Sequence, residues 1–132
     1  METLKYQTKT IHYLIHNDEF YFRTKDIFAI TARPLTDRGI EKFVKDILYQ
    51  PKHYIFLNQI LPEKPSNTPA YFKPDEGFLT ERGLYRIVMR SVLPKREEFE
   101  DFIFENMKQL RIQEKKNKNL KIFELFEKSS SM

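Results

Sequence analysis

At 132 residues with a formal net charge of +4, the chain has the size of one domain and a modest basic excess. Its 12 Phe and 7 Tyr supply ring area for a genuine core, and the lack of Cys excludes disulfides and thiolate metal sites, as suits a reducing compartment. No apolar run approaches the roughly 20 residues that cross a bilayer, and Met1 to Thr10 is polar with no signal-peptide core, so a soluble intracellular protein is expected.

Ile11 to Ile15 and Glu19 to Arg23 are β-rich runs separated by His16-Asn17-Asp18, and Asn and Asp tolerate the left-handed backbone of a tight turn, which predicts a β-hairpin. Thr24 reads as the N-cap of a short helix carrying Ile27, Phe28 and Ile30, which must stop before Pro34. A second helix follows Thr36-Asp37. Its apolar residues Ile40, Phe43, Val44, Ile47 and Leu48 recur at helical spacing, and Pro51 is expected to end it.

Tyr54 to Leu57 reads as a further strand, and Leu61 to Pro69, with Pro62, Pro65 and Pro69, as a surface loop. Tyr71-Phe72-Lys73 and Gly77-Phe78-Leu79 are expected as two short strands around a turn at Pro74 to Gly77. Thr80 should cap the next helix, which carries Leu84, Ile87 and Val88. Pro94 should open another, with Glu97 and Glu98 in the first turn, where the helix dipole favours acids. Phe99, Phe102, Ile103, Asn106, Met107 and Leu110 continue it at helical spacing. The expected fold is a single α+β domain: short antiparallel strands, an N-terminal hairpin plus central strands, packed with four or five helices. A basic and then apolar tail, partly helical, is expected over 113–132, with Ser129 to Ser131 disordered.

The segment Glu76 to Arg111, EGFLTERGLYRIVMRSVLPKREEFEDFIFENMKQLR, resembles the signature half of the Bro-N family. These domains begin the baculovirus repeated-open-reading-frame proteins and many phage antirepressors. The pattern is a strand, a helix of the form T-E-x-G-L-Y-x-x-I-x-R-S, then L-P and a long helix with F-x-x-[WF]. Here it falls on Thr80, Glu81, Gly83, Leu84, Tyr85, Val88, Arg90, Ser91, Leu93, Pro94, Phe99 and Phe102. The run FYFRTKDIFAI is similar to the family's W-F-x-x-K-D-[IV] passage through Tyr21, Phe22, Lys25, Asp26 and Ile27. The chain departs from the family at Ile30 to Pro34, which replaces the usual L-G-Y-x-x-P turn, and at Phe102, where Trp is common. The resemblance covers about residues 10 to 112 and marks 1–112 as the Bro-N-like part. It implies a DNA-binding module, usually joined to a second domain. It also implies a viral or phage context, hence host cytoplasm or nucleus, and a role in regulating transcription or replication.

Arg82, Arg86 and Arg90 recur every fourth residue, so on a helix they share a face opposite Leu84, Ile87 and Val88. Guanidinium groups at that spacing can span phosphates or reach guanine edges; equally, they can pair with Glu81 or the acidic run from Glu97 to Asp101. Arg38, Lys42 and Lys45 make the second helix a groove-reading candidate, with Lys25 and Arg33 flanking the helix before it as phosphate clamps. Glu41 and Asp46 also fit an ordinary solvated face. Tyr85, Phe99 and Phe102 are expected in the core rather than as base-stacking platforms. Gly83 costs roughly 1 kcal/mol against Ala inside a helix, which points to a close approach by another backbone. In the tail, Lys115 and Lys116, with Lys118 and Lys121, are further phosphate candidates. Leu120, Ile122, Phe123, Leu125 and Phe126 should dock on their own domain or on a second copy, and Leu120, Phe123 and Phe126 would form a homodimer seam.

Catalysis finds little footing. On a strand His12 and His16 would sit ~13 Å apart and could not share a metal. With only Gly39, Gly77 and Gly83 there is no phosphate-cradling loop. A non-enzyme without cofactor or metal is expected, binding duplex in preference to single-stranded DNA. The alternative is a protein-interaction module, antirepressor-like, that engages a host or viral regulator through Tyr54 to Phe78 or the tail.

Overall fold

Asn17 and Asp18 both occupy the left-handed region (φ 50° and 66°), the geometry of a two-residue hairpin turn whose twist matches its strands. They join β2 (Lys9–His16) to β3 (Glu19–Arg23) in register Tyr13 to Phe22 and His16 to Glu19. The hairpin is therefore where the sequence placed it in this computed structural model, which describes residues 1–31, 36–90 and 96–130. A strand that the sequence did not announce, β1 (Glu2–Tyr6), pairs with the outer edge of β2. Its turn runs through Gln7 at φ 55°, a conformation for which Gln gives no sequence signal.

Two more strands, β4 (Tyr54–Phe56) and β5 (Gly77–Thr80), complete a fully antiparallel sheet of order β1-β2-β3-β5-β4. Leu14, Phe78, Leu57, Ile60 and Phe72 form one buried cluster. Ile11, Tyr13, Phe20, Phe22 and Leu79 alternate with Leu14 and Phe78 and are buried on the opposite face, so both faces of the sheet are covered. α1 (Thr24–Ile30) lies against β2, β3 and β5, and α4 (Glu81–Met89) against β3 and β5. These two helices add Ile27, Phe28, Leu84, Ile87 and Val88 to the core. With α2 (Asp37–Ile47), α3 (Leu57–Ile60) and α5 (Arg96–Ser130), the described residues form the expected α+β fold with five helices.

Several local expectations need correction. Thr24 is the first helical residue of α1, not its cap. Arg23 stands at the cap with no side-chain cap bond, because a guanidinium has no acceptor for the helix N–H groups; it donates to the Asp26 and Glu76 carboxylates instead. α2 starts at its Thr36 cap, which accepts from Gly39 N at 3.2 Å, but ends at Ile47, well before Pro51; buried Leu48 turns extended there. The Tyr54 run is strand only to Phe56, and Leu57 opens α3, where the Gln59 side chain accepts from Phe56 N at 3.1 Å. Tyr71-Phe72-Lys73 is not a strand. Phe72 is buried from within a loop, closed by turns from Pro69 and Lys73. The expected helix start at Pro94, the stop at Pro34 and the motif residues Ser91 and Leu93 lie outside the described residues, as does Ser131.

The chain divides into two compact units, Met1–Arg96 and Glu97–Met132. The second unit is one helix. α5 runs without interruption through the lysine-rich stretch to Ser130, about 50 Å at 1.5 Å per residue. Phe99, Ile103 and Met107 are buried on it at every fourth position, and Phe99 stacks with Phe102 at 6.3 Å between ring centres.

Candidate nucleic-acid interface

The end of β5 and the start of α4 are tied to the turn before β4 by a set of short contacts. The Thr80 hydroxyl donates to Lys52 O at 2.6 Å and accepts from Gly83 N at 3.1 Å, so one side chain both caps the helix and anchors it. Thr80 N donates to His53 O at 2.9 Å. A Cβ on Gly83 would stand 1.9 Å from that same His53 oxygen and 2.8 Å from its carbonyl carbon. The glycine is there because another backbone fills its side-chain space, as its helix-interior position suggested. Leu84 is buried, and Tyr85 is half-buried with its hydroxyl 3.2 Å from Glu81 Oε1.

This joint fixes where the cations of α4 lie. Lys52 and Arg82 are exposed and Arg86 is half-buried; all three charges act on His53. The His53 imidazole is held below the ordinary histidine range by burial first, and then by Arg86, Lys52 and Arg82. Its Nδ1 accepts from Tyr49 N at 3.0 Å, so the neutral ring carries its proton on Nε2. Arg86 Nε is buried without a hydrogen-bond partner among the described residues. Lys52 was not legible as a member of this group, because only the chain reversal between α2 and β4 brings it to α4.

Arg38, Lys42 and Lys45 are all exposed on α2. At positions i, i+4 and i+7 they share one face and span about 10 Å of helix, roughly three base-pair steps of duplex. With Thr36, Gly39 and Asp46 they line an open depression of about 500 Å³. Six residues, 48–53, connect this face to the Lys52, Arg82 and Arg86 group, with Tyr49 exposed between them.

The other expected contacts are dispersed. Arg90 is exposed at the end of α4, where its backbone N–H, not its guanidinium, meets the last carbonyls of the helix. Lys25 is half-buried and already interacts within the chain. Arg33 lies outside the described residues. Lys115 and Lys116 are exposed on α5, in the second unit. Of the five rings within Tyr54 to Phe78, the segment expected to meet a protein partner, Phe72 and Phe78 are buried, Tyr54 and Phe56 half-buried and Tyr71 exposed. In the apolar tail Leu120, Ile122, Phe123, Leu125 and Phe126 are all exposed.

A second charged group lies inside the protein. Arg23 donates through Nε to Glu76 Oε1 at 3.0 Å and through Nη1 to Asp26 Oδ1 at 2.9 Å. Asp26 Oδ2 accepts both the backbone N–H and the Nδ1–H of His12, each at 2.8 Å, and Glu76 Oε2 accepts from Lys73 N at 3.1 Å. The Arg23 guanidinium also lies 4.3 Å from the Phe72 ring centre, which holds the loop aromatic in place. The Asp26 that matches the family passage is thus an organiser of β2, β3 and α1.

Among the described residues no group of three His, Cys, Asp or Glu could hold a metal ion, and no helix is long and apolar enough to cross a membrane. No solved structure matches the chain. The sequence profile described as BRO family, N-terminal domain, matches residues 10–109, from β2 into α5, leaving β1 and the apolar tail outside. Covering most of the chain and every residue of the Thr80 to Gly83 joint, that match shows that the chain belongs to the BRO family and carries its N-terminal domain.

Proposed function

We propose that this chain is a non-catalytic DNA-binding module of viral or phage type, acting in the regulation of transcription or replication. Residues 1–112 form the module, and 113–132 a basic and then apolar appendage. Duplex DNA is held mainly through its phosphates, by Arg38, Lys42 and Lys45 on α2 and by Lys52, Arg82 and Arg86 around His53. Lys115 and Lys116 add an electrostatic reach from the tail. The observation that carries this reading is the basic face of α2, three exposed cations in line over an open depression. A helix with such a face matches the dimensions of a DNA groove and the spacing of its phosphates.

Fluorescence anisotropy with labelled duplex and single-stranded DNA tests it. With four to six phosphates neutralised, log affinity should fall with log salt at a slope of about −4 to −5. Joint replacement of Arg38, Lys42 and Lys45 by Ala should flatten that slope by about 3 and leave the melting temperature unchanged. No shift of either DNA at low salt would refute the reading.

A second reading, an antirepressor-like module that binds a regulator and not DNA, draws support from the exposed apolar tail. It predicts a partner that survives nuclease treatment and charge reversal at Lys42 and Arg82.

A further inference from the structure

We propose that the end of α5 is a self-association element, in which two copies pair antiparallel about a two-fold axis near Ile122 and Phe123. This stands independently of DNA binding.

The first observation is that one continuous helix carries two apolar faces on different sides. At about 100° per residue, Phe99, Ile103 and Met107 centre on one direction, and Ile122, Phe123 and Phe126 on another roughly 150° away. The first set is buried, with Phe99 at 0% and Ile103 and Met107 at 2% exposure. The second is open, at 66% for Ile122, 57% for Phe123 and 70% for Phe126, with Leu120 and Leu125 exposed beside them. Whatever covers the first face cannot reach round a straight helix to cover the second. The two faces are separated by the polar run from Gln113 to Asn119. The second face therefore serves a different occupant.

The charge pattern identifies that occupant. Lys115, Lys116, Lys118 and Lys121 precede or enter the apolar stretch, and Glu124 and Glu127 close it. A parallel pair of tails would set lysines against lysines. An antiparallel pair with its axis near residues 122 and 123 brings Glu127 beside Lys116 of the other copy. Lys116 and Glu127 lie on the same flank of the apolar face, about 20° apart at that helical pitch, and antiparallel two-fold pairing makes equivalent flanks meet. The pattern is thus complementary to its own reverse. A bilayer surface fits less well. An interfacial helix concentrates Lys and Arg on the polar side of its apolar stretch, whereas here Glu124 shares that side with Lys121 and Glu127 lies on the flank.

Sedimentation of the full nuclease-treated chain should show twice the 16.1 kDa chain mass as concentration rises. Phe123→Glu should leave it monomeric with unchanged circular dichroism, since Phe123 is exposed. Lys116→Glu and Glu127→Lys should each weaken the dimer several-fold, and the two together should restore it. Because the chain has no Cys, single replacements report direction. Under oxidant, Phe123→Cys should cross-link to itself and Lys116→Cys should not, whereas a mixture of Lys116→Cys and Glu127→Cys chains should cross-link to each other. A monomer at all concentrations, self-linking of Lys116→Cys, or capture of the monomer by anionic phosphatidylserine vesicles would each overturn the proposal. A dimer that binds no DNA would refute the proposed function and leave this one standing.

Discussion

Arg23 and Arg82 both lie at strand-to-helix junctions, and the fold puts them to opposite uses. Arg23, at the end of β3, is enclosed by Asp26, Glu76 and the Phe72 ring; Arg82, in the first turn of α4, is exposed. The difference comes from their surroundings. Arg23 faces a carboxylate three residues on and another brought in by the loop before β5, while the neighbouring groups of α4 that act on His53 are basic. A net charge of +4 counts the two alike, so the charge available to a polyanion has to be read from position.

Replacing Arg23 by Ala should produce the largest effect, a loss of about 3–5 kcal/mol, because it takes the cation away from the buried Glu76 and half-buried Asp26 carboxylates. Urea denaturation measures it, with Arg82→Ala as the counterpart: stability within about 0.5 kcal/mol of the parent and a salt slope of DNA binding shallower by about 1. The contrast breaks if Arg82→Ala unfolds the protein or Arg23→Ala leaves its stability intact.

Gly83→Ala should come next, at about 1–3 kcal/mol, since its Cβ meets backbone and must push His53 away from α4. Thermal melting reports the loss. A change in DNA binding beyond that due to unfolding would show that the joint also sets the Lys52 to Arg82 spacing.

The smallest expected effect is a pH dependence. The folded His53 pKa lies below its unfolded value of about 6.5. The unfolded state therefore binds the extra proton first, and the contribution of His53 is complete above about pH 6.5 and lost as pH falls toward the folded value. His53→Gln, whose amide oxygen can still accept from Tyr49 N, should flatten the stability profile on the acid side of neutrality. A profile unchanged by the replacement would remove His53 from the account.

The elements legible in the sequence were those with local chemistry. Asn17-Asp18 announced a turn, Thr80 announced a cap, and Gly83 announced a close approach. β1 was hidden because Gln7 makes a left-handed turn without the usual residue for it, and α3 because Leu57 continues a β-rich run. Tyr71-Phe72-Lys73 has strand composition, yet Phe72 is held from a loop by Arg23, 49 positions earlier in the chain. The candidate interface divides in the same way. The basic face of α2 follows from helical spacing alone, whereas Lys52 joins Arg82 and Arg86 only through the fold. The Arg23 network, which spans His12 to Glu76, has no local signature at all.

The close approach at Gly83 has a consequence for divergence. With a carbonyl oxygen inside the volume of any side chain, position 83 has an alphabet of one letter, and Thr80 beside it must both give and receive a proton bridge. Arg82, between them, faces water and is bound by neither demand. A lineage can therefore change the charge displayed at position 82 without disturbing the glycine next to it.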